Sequence, residues 1–363
     1  VNTAAILALD TLLVVALLSL ATATLAARDA RRSVILFMAF GLVLALAWAR
    51  LLAPDVALAE AAIGAGLSGA LLLAAVQEQP RQVLSGDTSA VERSGRTSVT
   101  ALVQSCVTLL CIAAGGVLAW ALIQSLERAP QEALAQAIRA NLDASGVSNP
   151  VTAVLLNFRA YDTLLELAVL LTAVLGIFAL GTERTRYRAP GPVFDGLVRW
   201  LVPVLIVMAG YLLWAGAHAP GGAFQAGATL AAAGVVLRLA GQHPAGLPAG
   251  STLHLVIAAG VGMFLAVGLG LLLAGRPFLG YPPAWAGGLI LLIESAATVA
   301  IGATLVLAFI GGRPQTAPAA APGLETPTGP IRTRMPRTRA LLSCAATRTA
   351  ESSARSNEEN SPC

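Results

Sequence analysis

Five acidic side chains lie within or at the ends of long apolar runs: Asp10, Glu60, Asp162, Glu166 and Glu294. A carboxylate at the middle of a bilayer costs about 2.5–3.5 kcal/mol on insertion scales, so each needs a partner, a hydrated path or a place near the interface. Glu294 is well inside its run and is the most expensive on position. Glu60 stands near the start of its run, and Asp162 and Glu166 are one turn apart on one helix face. Two readings compete: such groups carry protons or cations along a hydrated path, or they hydrogen-bond to neighbouring helices and only hold the bundle together. Conduction is the first reading for Glu60 and Glu166. The two readings stand nearly level for Glu294, the structural one leads for Asp10, and Asp162 can sit cheaply at the interface beside Glu166.

The three histidines extend the list of candidates. His254 begins an apolar run and titrates in the range of a proton relay, His218 precedes a proline turn, and His243 lies in a connection. None is spaced with another histidine, cysteine or carboxylate as a metal site requires. Of the four cysteines, Cys106 and Cys111 share an apolar run and Cys344 and Cys363 a polar tail, which is no disulfide or metal framework. No catalytic residue, cofactor or metal is expected. The most unusual local sequence runs from Ala217 to Gly227, where His218, Pro220, Gly221, Gly222, Phe224 and Gly227 form a tight turn and then open a helix of small residues suited to close packing. A literal GxGxxG at Gly64–Gly69 lies inside an apolar run after Glu60, without the strand that a dinucleotide fingerprint must follow. Its glycines are read as helix-packing positions.

These residues are placed by membrane helices. Only 12% of the 363 residues are charged and 56% are hydrophobic, against about 25% charged in soluble domains, and the mean hydropathy is +0.76. Crossing a hydrocarbon core takes about 20 apolar residues, and such runs recur at 4–26, 33–52, 56–76, 100–123, 162–181, 198–217, 221–240, 251–273 and 286–310. The fold expected is an all-α polytopic membrane protein of about nine spans. The first run is longer than a signal-peptide core and has no basic residue before it, so it is expected to stay in the membrane. A soluble enzyme is excluded.

All 23 basic residues are arginine. They fall in short clusters between apolar runs, which is a topology signal and not a nucleic-acid surface. With the N-terminus outside, the inward connections hold Arg28, Arg31 and Arg32, then Arg81, Arg93 and Arg96, then Arg184, Arg186 and Arg188, and then the tail. That arrangement places the chain in the inner (plasma) membrane with its C-terminus in the cytoplasm. Residues 81–99 read as a cytoplasmic linker and 313–363 as a disordered cytoplasmic tail. Between the fourth and fifth spans the pattern predicts a helix near 127–140, a turn at Asp143–Gly146 and an extended run at Val151–Val154 on the outer face.

The first three spans, with Asp10, the Asp29–Arg32 connection and Pro54-Asp55-Val56-Ala57-Leu58-Ala59-Glu60, resemble the small hydrogenase-type subunit that also forms part of the large A subunit of multisubunit Na+/H+ antiporters. Asn157-Phe158-Arg159-Ala160-Tyr161-Asp162-Thr163-Leu164-Leu165-Glu166 is similar to the domain that follows it there. Residues from about 198 to 310 resemble the B subunit, through the Pro220–Gly227 turn, Gly275-Arg276-Pro277-Phe278-Leu279-Gly280 and the Glu294 helix.

The resemblance implies an MbhD-like domain at 1–80, an MbhE-like domain of two spans at 100–190 and an MrpB-like (MnhB-like) domain of four spans at 191–312. It implies a non-catalytic subunit of a Mrp-type cation/proton antiporter that handles H+ and Na+ with other membrane subunits, and it makes Glu60 and Glu166 proton-path carboxylates. The alternatives are a subunit of an ion-translocating hydrogenase-like or complex-I-like oxidoreductase, or a membrane scaffold. Two departures stand out: Ala219 follows His218 where the family has Asn, and Ala223 replaces a third glycine. Further, no antiporter-type helices with intramembrane lysines precede residue 1 and the chain has no lysine, so it is expected not to transport alone.

Overall fold

In lipid the backbone of a long apolar run can satisfy its polar groups internally only as a helix, and helices are what these runs form. The computed structural model describes residues 3–77, 98–128, 131–179, 181, 191–241 and 245–312, and every regular element among them is helical. In chain order they are α1 (Thr3–Ala26), α2 (Ala30–Arg50), α3 (Pro54–Ala59), a π-helical stretch Glu60–Leu67, α4 (Ser68–Gln77), α5 (Ser98–Arg128), α6 (Gln131–Asn141), α7 (Pro150–Ala153), a second π-helical stretch Val154–Phe158, α8 (Ala160–Ala179), α9 (Pro192–Ala215), α10 (Ala223–Leu239), α11 (Ser251–Leu273) and α12 (Ala286–Ile310). The cluster Arg184, Arg186 and Arg188, His243, the linker up to residue 97 and the tail 313–363 lie outside the described residues.

Among the described residues eight helices are long and apolar enough to cross a membrane; the span expected at 221–240 is the shorter helix α10, of 17 residues. Its shortness goes with its surroundings. α10 is buried along most of its length, with Gly227 and Gly234 set against α12: a Cβ at Gly227 would fall 2.7 Å from Ile301 Cγ2, and one at Gly234 2.5 Å from Val306 Cγ2. Small residues let the two backbones approach, which is how helices gain van der Waals contact where lipid supplies no hydrophobic drive.

α12 is the centre of the bundle, with 15 of its 25 residues buried. Phe264 of α11, Ile290, Ile293 and Ile301 of α12 and Leu156, Ala160 and Leu167 of the middle segment form one core. Leu67, Val235 and Phe309 join the first module to the third. By contrast α1 and the Ser105–Ser125 stretch of α5 bury none of their residues within the chain, so lipid or partner helices must cover them.

The stretch Val151–Val154, expected to be extended, is instead helical. Asn149 caps it, its side chain accepting from the Val151 N–H, and Pro150 occupies the first helical position, where its fixed φ and missing N–H cost nothing. These local signals outweigh the β-branched composition. The expected turn at Asp143–Gly146 is a short 3-10 turn ending on Gly146 at φ +80°. A side chain there would strike the start of α12, since a Cβ would lie 2.5 Å from Gly287 N.

The connection between α11 and α12 returns into the core through Leu279 and Tyr281. Tyr281 is 8% exposed, and its hydroxyl has no hydrogen-bond partner among the described residues. Burial pushes its phenol above the ordinary tyrosine range. Tyr281→Phe therefore removes only an unsatisfied atom. Its effect on the unfolding free energy of the detergent-purified protein should be neutral or stabilising by up to about 1 kcal/mol. A clear loss would reveal a partner for the hydroxyl.

Candidate functional site

The three modules meet at one buried carboxylate. Asp55, in the first turn of α3, is 9% exposed. Its Oδ1 accepts from Gly221 N–H at 3.2 Å and Asn149 Nδ2 at 3.4 Å, and its backbone carbonyl accepts from Gln225 Nε2 at 3.1 Å. Asn149 also donates to Ala219 O at 3.0 Å. The turn after α9 is held from the other side, where Thr152 Oγ1 donates to Gly216 O at 2.6 Å and the Ser148 and Asn149 N–H groups both donate to Ala217 O. The turn motif thus docks the third module onto the other two. Its glycines are needed for that: Gly222 has φ +111°, and a Cβ at Gly221 would overlap Leu212 O.

Beside this junction lies a cavity of about 230 Å³ lined by Asp55, Thr152, Thr163, Gln225 and Glu294 among others. Glu294, in the middle of α12, is 2% exposed. The backbone N–H of Ala223, at the head of α10, bonds its carboxylate, while its Oε2 has no hydrogen-bond partner among the described residues.

Glu60 does not line that cavity. It opens the first π-helical stretch and turns toward α2, where the absent side chains of Gly64 and Gly41 leave room for it; a Cβ at Gly41 would lie 3.2 Å from Glu60 Oε1, and one at Gly64 would overlap the carboxylate. Just beyond that stretch a Cβ at Gly69 would overlap Met38. The literal GxGxxG is a packing surface for a carboxylate and a methionine.

The remaining candidates are dispersed. Asp10 forms an ion pair with Arg50 at 2.8 Å, and both side chains are half-buried. Asp162 pairs with Arg159 at 2.5 Å, one turn earlier in the chain. Glu166 faces outward: Thr163 and Leu167 are buried on one side of α8, whereas Leu165, Glu166 and Val169 are exposed on the other. Within this chain Glu166 is therefore exposed, on the side of α8 that carries Val169. His254 is exposed, its Nδ1 3.1 Å from Gly250 O and its ring 5.9 Å from Phe178. His218 is exposed too, with Nδ1 3.1 Å from Ser148 Oγ and Trp214 at 5.9 Å. No group of three or more His, Cys, Asp or Glu among the described residues is placed to hold a metal ion.

Residues 15–81 match the MbhD family of MBH components, residues 104–193 match the MbhE family of MBH components, and residues 193–313 match a domain related to the MnhB subunit of Na+/H+ antiporter. The chain is a fusion of MbhD-like, MbhE-like and MnhB-like domains. Their combination matches the architecture of an Mrp/Mbh-type antiporter membrane subunit. A chain of the Mrp complex from Dietzia sp. DQ12-45-1b is similar in fold, with 24% identity and a TM-score of 0.63, over 84% of this chain and 35% of that one. This chain therefore spans about a third of that relative's length. A chain of the membrane-bound sulfane sulfur reductase, an archaeal respiratory membrane complex, is 24% identical over 58% of this chain and 100% of its own, with a TM-score of 0.48. Among curated proteins there is no match.

Asp55 therefore ties the MbhD-like domain to an MbhE-like asparagine and to the MnhB-like turn, and Glu294 of the MnhB-like domain shares the cavity beside it. Sequence alone points to Glu294 and the turn but not to Asp55. An acidic residue after proline at the head of a helix is an ordinary N-terminal signal, so its type and place give no reason to single it out.

Proposed function

We propose that this chain is a non-catalytic membrane subunit of a multisubunit monovalent cation/proton antiporter, supporting assembly and lining part of the ion path. The observation that carries the reading is the succession of MbhD-like, MbhE-like and MnhB-like domains in one chain. Glu60 and Glu166 serve as proton-path carboxylates, H+ and Na+ are the ions, and the partners are other Mrp-type membrane subunits. The outward face of Glu166 supports a partner: facing lipid, that carboxylate would cost about 2.5–3.5 kcal/mol at mid-membrane, which a neighbouring subunit or a hydrated seam removes.

The test is reconstitution. The intact complex extracted in mild detergent should show Na+-dependent proton flux in vesicles, and this chain alone should show none. Robust exchange by the isolated chain would overturn the supporting role. A second reading has its own observation, since two of the three matched families are named for MBH components. Nickel or iron–sulfur proteins co-purifying with the chain would decide for a hydrogenase-like assembly.

The proposed orientation, N-terminus outside and C-terminus in the cytoplasm, rests on the arginine clusters. In a background without the four native cysteines, single cysteines at Ser85 and Thr316 should be protected from an impermeant thiol reagent in right-side-out vesicles. Labelling of both from outside would reverse the topology.

A further inference from the structure

We propose that the cavity where the three domains meet, lined by Asp55, Thr152, Thr163, Gln225 and Glu294, is a binding site for a small monovalent cation. The hydroxyl protons of both threonines and one amide proton of Gln225 are committed elsewhere. Thr152 Oγ1 donates to Gly216 O at 2.6 Å, Thr163 Oγ1 to Leu155 O at 2.7 Å, and Gln225 Nε2 to Asp55 O at 3.1 Å. The threonine hydroxyls and the Gln225 side-chain carbonyl can still offer oxygen lone pairs. Two carboxylates complete the set, and neither arginine nor histidine is among the lining residues. The oxygens of these polar side chains suit a hard cation, and the rest of the lining is apolar.

Glu294 is the element that asks for a ligand. It is 98% buried (2% exposed), its Oε2 has no hydrogen-bond partner among the described residues, and it lines the cavity. An ionised carboxylate so placed needs a compensating charge. Asp55 shares its charge with two donors, Gly221 N–H and Asn149 Nδ2. Glu294 is thus the carboxylate with an oxygen still without a partner among the described residues. At about 230 Å³ the cavity also has space for coordinating water. Gly222 keeps that side open, for a Cβ there would sit 3.2 Å from Glu294 Oε1.

The proposal deepens the antiporter reading, and rests on it for the choice of a monovalent ion, Na+. Its test is equilibrium binding of 22Na+ to the detergent-purified intact complex at pH 8, by scintillation proximity, with assembly checked by size exclusion. Wild type should bind one more Na+ per copy of this chain than Glu294→Gln, whose affinity at this site should fall by about tenfold or more. Glu294→Asp, which keeps the charge but withdraws it, should bind with intermediate affinity. Should the Gln complex fail to assemble, Thr163→Val removes one oxygen and leaves both carboxylates, and should weaken binding at least about threefold. Unchanged 22Na+ binding in the assembled Gln complex, or in Thr163→Val where Gln does not assemble, overturns the site; Glu294 then exchanges a proton only. Because the readout is binding and not flux, an active antiporter with no difference at Glu294 sinks this site and leaves the subunit reading standing. A complex without antiport that still loses one Na+ in Glu294→Gln does the reverse.

Discussion

Asp55→Ala is expected to loosen the association of all three domains and to destabilise the chain by about 2–4 kcal/mol, because it leaves buried donors without their acceptor. Gly221 N–H loses its partner at 3.2 Å, while Asn149 Nδ2 keeps only Ala219 O. The hydrogen bond to the Asp55 backbone carbonyl from Gln225 survives the substitution in principle, but it depends on α3 keeping its place. Asp55→Asn separates the two roles of the residue. Its amide oxygen can still accept from Gly221 and Asn149, so stability should stay within about 1 kcal/mol of wild type, while the charge at the cavity is lost. Denaturant unfolding of the detergent-purified chain gives both values, and limited proteolysis reports whether the domains come apart. An alanine variant as stable as wild type would mean that the junction is held by the apolar cores alone.

That junction marks the limit of what can be read from the sequence. The spans are legible because each is a long apolar run whose only solution in lipid is a helix, and α12 occupies 286–310, the very run its hydropathy marks out. Glu294 is legible by its cost, a carboxylate deep in an apolar run. The Pro220–Gly227 turn is legible by its glycines, of which Gly222 does adopt a positive φ. The path from Asp55 to Gly221 is not. It joins residues 166 positions apart, and nothing periodic connects them. The direction of Glu166 is equally hidden, since α8 is apolar nearly all round and its hydrophobic pattern does not say which face meets the chain's own core. Likewise Val151–Val154 misleads because its β-branched composition suggests a strand, while the Asn149–Pro150 cap decides for a helix.

Glu166→Gln is expected to give an assembled complex whose proton-coupled transport is severely reduced. Glu166 lies one turn beyond Asp162 on α8, on a face where Leu165 is 63% and Val169 68% exposed within the chain. Asp162 is already paired with Arg159, which leaves Glu166 as the carboxylate of this face with no ion pair among the described residues. In a bilayer such a face is covered by lipid or by another subunit, and a lone carboxylate favours a subunit or a hydrated seam. Either a partner's cation keeps it charged there, or it holds an exchangeable proton. The glutamine variant keeps size and hydrogen bonding but has no proton to exchange, so under the relay assignment it should lower the rate by about a hundredfold, the lower end of what a positioned proton-transfer group contributes. Glu166→Asp retains the proton about one methylene further back and should keep part of the rate. Arg159→Ala supplies the structural contrast: it frees Asp162 and should disturb the start of α8 while leaving proton exchange at Glu166 possible. Flux measured in vesicles from pH 6 to 9, with assembly verified in each variant, decides the matter. An assembled glutamine complex that transports at the wild-type rate across that range would make Glu166 an interface residue and remove it from the path.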